Sequence, residues 1–255
     1  MIHVLALLVF LSFEWDFMAA PAQAIQKESH AEKEANLKGQ ALGGLFNRWT
    51  FDKEQPKGKP QGFSELSLGD VPVSAWVIQS DADAPSAPNI LKIESTCQLS
   101  SCYQFLVADK LQYEYPDVSV RLRFPSEGSV GHGGIVIGFQ DPKNLYAVVV
   151  DLASKKLETI RVLNGQTTVL GQAAFTPKAV DWHSLRVQRD TIISKDVINA
   201  YFDGAHILSV RDQTLTFGRV GLLVRGKSSL LFDSLHAVPL FTQRPFSDPS
   251  PYAPR

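Results

Sequence analysis

This chain has few of the features that mark membrane, metal-cage or nucleic-acid proteins. The apolar stretch that opens it, Val4–Phe13, is too short to cross a bilayer, which takes about 20 apolar residues, and no other run is long enough. Charge is sparse and balanced: 25 Lys+Arg against 26 Asp+Glu, a net −1. Such a balance gives no electrostatic reason to seek nucleic acid or an anionic membrane, so neither a nucleic-acid partner nor a membrane span is expected. There are only 2 cysteines, Cys97 and Cys102. Covalent haem would need Cys-x-x-Cys-His, and a zinc site would need two further ligands at suitable spacing. Sustained helical periodicity is missing as well, and no internal repeat is visible.

What is present begins with an export pattern. After Val4–Phe13 comes Ala22-Gln23-Ala24, a small-x-small sequence suited to signal peptidase, which predicts a signal peptide over residues 1–24 and a secreted or periplasmic mature protein. No Lys or Arg precedes the apolar run, and Glu14 and Asp16 interrupt it before the cleavage site, so a mis-set start or a buried strand stands as the alternative. Residues 25–44 are rich in Glu, Lys, Ala and Gln and read as a flexible spacer with little to bury. The sandwich is expected over 45–240, and the Pro- and Ser-rich 241–255 as a disordered tail. In an exported chain Cys97 and Cys102, close together between two strands, read as a local disulfide; two free buried thiols are the alternative.

Between the spacer and the tail the chain is a series of short strand signals. Val118-Ser-Val-Arg-Leu-Arg-Phe124 alternates, which sends Val118, Val120, Leu122 and Phe124 to one face and Ser119, Arg121 and Arg123 to the other. Ile135–Phe139 and Leu145–Val150 are apolar throughout, as central strands are. Asn164-Gly165 and Asp203-Gly204 are tight hairpin signals. The fold class expected is all-β, a jelly-roll sandwich of two antiparallel sheets.

A set of phrases carries a resemblance. In order they are Phe51-Asp52, Gly62-Phe63, Trp76-Val77, Asn89-Ile90-Leu91, Gly133-Gly134, Gln140-Asp141 with Asn144 and Tyr146, Asn164-Gly165, Trp182-His183, Asp203-Gly204, Gly221-Leu222 and Phe232-Asp233. The chain resembles the concanavalin A-like lectin/glucanase superfamily, in particular its laminin-G-like and 3-keto-disaccharide hydrolase (exo-inulinase-like) branch. That resemblance implies a jelly roll. It leaves three functions open, because one architecture hosts many: a non-catalytic binder of carbohydrate or a glycan-bearing surface, a glycoside hydrolase of the 3-keto-disaccharide type, and an adhesion module that docks protein. It also implies a structural calcium joining the opening and closing strands, for which Asp52 and Asp233 offer oxygen ligands. Departures lie at Leu145-Tyr146, Val130-Gly-His-Gly-Gly and Arg225-Gly-Lys-Ser-Ser.

Sugar recognition combines an aromatic face with Arg, Asn, Gln or Asp groups on a concave surface. The residues with that chemistry are Arg121, Arg123, His132, Gln140, Asn144, Tyr146 and Arg161. The plain alternative for the arginines is a solvent-facing sheet kept soluble. Trp182 reads as a core wall with its indole N–H satisfied locally, and as a sugar platform in the alternative. For hydrolysis, the Glu-x-Asp-x-x-Glu run of laminarinase-type relatives is absent. Asp151 and Glu158 are the acids that can meet in space, or else solvated strand ends.

Overall fold

Alternating and doubly apolar runs dictate the outcome: with no helical period to bury a stripe, each segment satisfies its backbone by pairing sideways. The computed structural model describes residues 47–69, 71–125, 131–151, 153–177, 181–192 and 195–240. The expected signal peptide (1–24), spacer (25–44) and tail (241–255) lie outside the described residues.

Two sheets face each other. The 8-stranded sheet runs β13 (Ala205–Arg211), β12 (Lys195–Phe202), β11 (His183–Ile192), β6 (Pro116–Arg123), β15 (Ser228–Pro239), β4 (Asn89–Ser95) and β3 (Trp76–Ser80), with β1 (Asn47–Trp49) paired to β15 off that path. The 7-stranded sheet runs β10 (Gln166–Ala174), β9 (Lys156–Leu163), β8 (Asn144–Asp151), β7 (His132–Asp141), β14 (Gly218–Arg225), β5 (Tyr103–Tyr113) and β2 (Phe63–Leu68). Every described pairing is antiparallel. The molecule is the expected jelly-roll sandwich.

The core between the sheets takes the inward residues of each strand, among them Trp76, Val120, Leu122, Ile135, Val148, Leu222 and Phe232, all at 0–1 % exposure. Trp76 and Phe232 set their rings 5.8 Å apart there. The hairpin turns carry the residues that left-handed backbone favours: Asn164 (φ 51°) with Gly165 (φ 78°), and Asp203 (φ 47°) with Gly204 (φ 76°). The edge strand β3 is covered by a loop, with Lys57 N donating to Ile78 O at 2.7 Å and Ile78 N to Gly58 O at 2.9 Å. That cover blunts an edge open to pairing with another chain.

The seven-stranded sheet is apolar on its far face too. Phe105, Val136, Leu145, Val149, Ile160, Val162 and Leu223 gather there at 0–1 % exposure. Across that face Tyr103 Oη on β5 and Thr167 Oγ1 on β10 meet at 3.3 Å. Five strand spacings would hold these strands roughly 24 Å apart in a flat sheet. The sheet is therefore coiled round its own far face, as strongly twisted sheets are when they approach barrel closure.

Candidate functional site

The structure scatters the seven residues with sugar-binding chemistry instead of gathering them. Tyr146, in the middle of β8, is at 0 % exposure. Its hydroxyl donates to Asp212 Oδ1 at 2.5 Å and accepts from Leu215 N at 3.0 Å. Burial, and then the hydrogen bond to Asp212, push its pKa up to about 12. Arg161 on β9 donates from Nη1 to Asp212 Oδ2 at 2.5 Å and to Thr214 Oγ1 at 2.7 Å. Both side chains fasten the 212–217 loop, beside a buried Arg189 that holds Thr216 O at 2.9 Å and Asp196 at 2.6 Å. Tyr146 presents no face to a ligand, which corrects its place among the binding residues.

Gln140 and Asn144 flank the β7–β8 turn. Asn144 accepts from Asn164 N at 3.0 Å and donates to Asp141 Oδ2 at 2.9 Å, so it ties two hairpins together; Gln140 is exposed. His132 lies at the opposite end of β7, with Nδ1 3.6 Å from Asp151 Oδ2. Next to it Arg225 holds Glu158 at 2.9 Å. Burial pushes the Asp151 carboxyl up, but hydrogen bonds from Ser154 and the His132 charge outweigh this and leave it below the usual range. A glycosidase acid needs the opposite shift.

Arg121 and Arg123 do share a surface, the outer face of the eight-stranded sheet. Arg123 pairs with Asp81 and, at 3.2 Å, with Asp181, and its guanidinium lies 4.6 Å over the Trp182 ring. Beneath, Trp182 packs with Ile90 and Leu231. Trp182 is the wall expected, not a platform, though its indole N–H has no partner among the described residues. Arg121 donates to Trp182 O at 2.8 Å.

The register of that sheet aligns residues the sequence did not single out. Arg48 opposes His236, His236 opposes Ser119, Ser119 opposes Arg186, Arg186 opposes Tyr201, and Tyr201 opposes His206. One cross-strand row thus runs over six strands, about 24 Å. Arg186 grips Asp117 through Nε at 2.8 Å and Nη2 at 2.5 Å, and its guanidinium stands 5.8 Å from the Tyr201 ring. Hydrogen bonding to Asp117 pushes the Arg186 pKa further up, so its charge is permanent. His206 meets Tyr201 edge-on at 5.2 Å and Ser209 at 2.8 Å. Beside the row a cleft of about 330 Å³ is lined by Pro85, Ser119, Arg121, Ser184, Ser234 and His236. A strip with aromatic, hydroxyl, imidazole and guanidinium groups in line offers stacking plus directed hydrogen bonds. The alternation that turned Arg121 outward also marks Ser119, Ser184 and Arg186; the missing signal was the pairing register.

Behind the cleft, Asp233 lies at 0 % exposure beside a β15 bulge at Ser234 (φ 50°). Ser86 N donates to Asp233 Oδ2 at 2.6 Å, while Ser86 Oγ donates to Asp52 Oδ2 at 2.8 Å. Burial, with a contribution from the Asp52 charge, raises the Asp233 pKa. Two carboxylates sharing Ser86 offer the hard oxygen donors that calcium takes. Among the described residues no group of three or more His, Cys, Asp or Glu side chains gathers for a metal. Cys97 and Cys102 carry free thiols in this structure, not the expected disulfide.

No protein-family model matches the chain, and no curated protein matches it. Solved structures do. The carbohydrate-binding module CBM66 from Bacillus subtilis superposes with a TM-score of 0.54 at 14 % identity, covering 69 % of this chain and 95 % of that one. A protein of unknown function with a galectin-like fold, also from Bacillus subtilis, gives 0.45 at 10 % identity over 68 % and 88 %. The Emp47p carbohydrate recognition domain gives 0.45 at 10 % identity over 74 % and 92 %. At such identities the shared property is architecture: by fold the chain is similar to the carbohydrate-binding module CBM66.

Proposed function

We propose that this protein binds carbohydrate without catalysis, outside the cytoplasm, through the outer face of its eight-stranded sheet. The observation that carries the reading is the cross-strand row from Arg48 to His206, with Tyr201 beside the permanent charge of Arg186. The far face of the other sheet, where a concave lectin groove would lie, is closed and apolar. The fold shared with a carbohydrate-binding module supports the same reading. Of the functions the laminin-G-like and 3-keto-disaccharide hydrolase resemblance allows, binding is favoured over hydrolysis. Asp151 is held ionised, Glu158 is paired with Arg225, and Asp233 is sealed from substrate. Export rests on the Val4–Phe13 run and the Ala22–Ala24 site.

The test is calorimetric titration against a panel of oligosaccharides, with Tyr201→Ala and Arg186→Ala alongside the parent. Each substitution is expected to weaken binding about tenfold, the loss of one stacking contact or charge-assisted hydrogen bond. A ligand whose affinity ignores both substitutions would move the site elsewhere, and a panel with no ligand at all would end the reading.

A further inference from the structure

The Arg121 cleft differs from the surroundings of five other arginines on the two sheets. Arg123, Arg161, Arg186, Arg189 and Arg225 each hold a carboxylate. Arg121 has no carboxylate partner among the described residues; its one contact is the neutral carbonyl of Trp182. Its cross-strand neighbour is Asp233, whose two oxygens are turned to the amides of Ser86 and Ser234. The Arg121 Nε–H is buried with no acceptor, and His236 Nε2, on the same cleft wall, is equally without a partner. Arg48, opposite His236 in the register, adds a second guanidinium, while burial and then the Arg48 charge lower the His236 pKa. Ser119 and Ser184 bring hydroxyls to the same walls. The cleft therefore combines a guanidinium that holds no carboxylate with two unpartnered nitrogens, Arg121 Nε and His236 Nε2, at the middle of a row suited to an oligosaccharide.

We infer that this cleft is a subsite for the anionic group of an acidic sugar, a carboxylate or a sulfate ester, gripped by Arg121 with His236. The inference rests on the carbohydrate-binding reading and sharpens it. A planar guanidinium with free N–H groups matches a two-oxygen anion better than it matches a sugar hydroxyl. The neighbouring acids do not compete for it: Asp117 is engaged by Arg186 and Gln188, and Asp52 by Ser86. The serine hydroxyls donate to the anion or to the sugar ring that carries it.

Three ligands of equal length decide it, titrated into the full mature chain: an oligogalacturonate, a sulfated galacto-oligosaccharide and a neutral galacto-oligosaccharide. At least one acidic ligand is expected to bind about tenfold tighter than the neutral one, and the stronger arm identifies carboxylate or sulfate as the source. Arg121→Gln should bring the acidic ligand's affinity down to about that of the neutral one, erasing the preference. His236→Gln, which touches no Trp182 contact, should reduce the preference in the same direction, so that a folding defect in the first variant is not mistaken for the effect. The subsite is overturned if acidic and neutral ligands bind alike, if the preference survives Arg121→Gln, or if Arg48→Gln on the exposed rim erases it as fully, which would make it a diffuse surface field. Those results leave the carbohydrate reading standing, whereas failure of all three ligands removes both.

Discussion

Tyr103 and Thr167 touch hydroxyl to hydroxyl at 3.3 Å although four strands lie between β5 and β10 in their sheet. The contact records a sheet wrapped round its own face, and the wrapped volume is filled by side chains at 0–2 % exposure. Coiling of this degree depends on close backbone approach. A Cβ on Gly221 would stand 2.2 Å from Leu106 O, and one on Gly218 2.4 Å from the Gly138 carbonyl carbon.

That face is therefore a second core, and Ile160→Ala tests it. Removing a fully buried isoleucine should cost about 2–5 kcal/mol in urea denaturation, with the affinity of any bound sugar unchanged while the variant stays folded. A variant of parent stability that had lost sugar binding would show that the face is a ligand groove.

The same double-sided burial explains which parts of this molecule were legible in the sequence. Val118–Phe124 alternates because one face meets a core and the other meets water, so the outward Arg121 and Arg123 were readable. The Asn164-Gly165 and Asp203-Gly204 turns were readable from backbone chemistry alone. Strands β8 and β9 bury apolar side chains on both faces, and a period of two then cannot say which face a polar side chain joins. Hence Tyr146 and Arg161, which point between the sheets toward the 212–217 loop, read as surface groups. The row through Ser119, Arg186 and Tyr201 was hidden for another reason: its members come from strands far apart in the chain, and only the pairing register aligns them.

Asp52 and Asp233 predict a response to calcium. The native Asp233 pKa is raised above its ordinary 3.8. The native state thus holds more protons than the unfolded chain in the window above that value, and the stability tied to this group is lost as pH rises through the native pKa. A divalent cation reverses the loss by favouring the ionised pair. Calcium at about a hundredfold over its dissociation constant should add about 2.7 kcal/mol near pH 7 and far less near pH 4, and Asp52→Asn should abolish the response. A melting temperature indifferent to both calcium and chelator near pH 7 would remove the site.

Asp212 predicts a pH dependence of the opposite sign. Burial pushes its carboxyl up, but hydrogen bonds from Tyr146 and Thr214 and the Arg161 charge outweigh burial and hold it below 3.8. A carboxyl depressed in the fold contributes stability above its unfolded pKa and loses it as pH falls through the folded one. Asp212→Asn should cost about 3 kcal/mol at neutral pH, because the 212–217 loop loses its anchor and Arg161 its partner. The gap between variant and parent should narrow as pH falls below 3.8 and through the depressed pKa of the folded state. An unchanged gap across the titration would show that Asp212 acts by packing and not by charge.

The last prediction concerns Cys97 and Cys102. Both are free thiols here, but they are neighbours: burial first, and then a hydrogen bond with Cys97 and its charge, push the Cys102 pKa up to about 12. At that value Cys102 holds almost no thiolate near neutrality, so it should resist alkylation in the native state while the half-buried Cys97 reacts. The turn between them is closed by Cys102 N donating to Leu99 O at 3.1 Å, and the two thiols share a side-chain hydrogen bond. In an oxidising compartment the expected product is the local disulfide, formed by exchange with an external disulfide: Cys97 sulfur attacks it and releases one thiol, and Cys102, giving up its proton, then displaces the second. Closing so short a loop should add only about 2 kcal/mol in the chain-entropy model, so Cys97→Ser with Cys102→Ser should lower the melting temperature and leave the sandwich intact. Mass spectrometry of protein recovered without reductant from an exporting host decides between the two states. Loss of both alkylatable thiols, together with an N-terminus at Ile25, would establish bond and export at once. Two reactive thiols after denaturation would show that the pair stays reduced and would count against an oxidising destination.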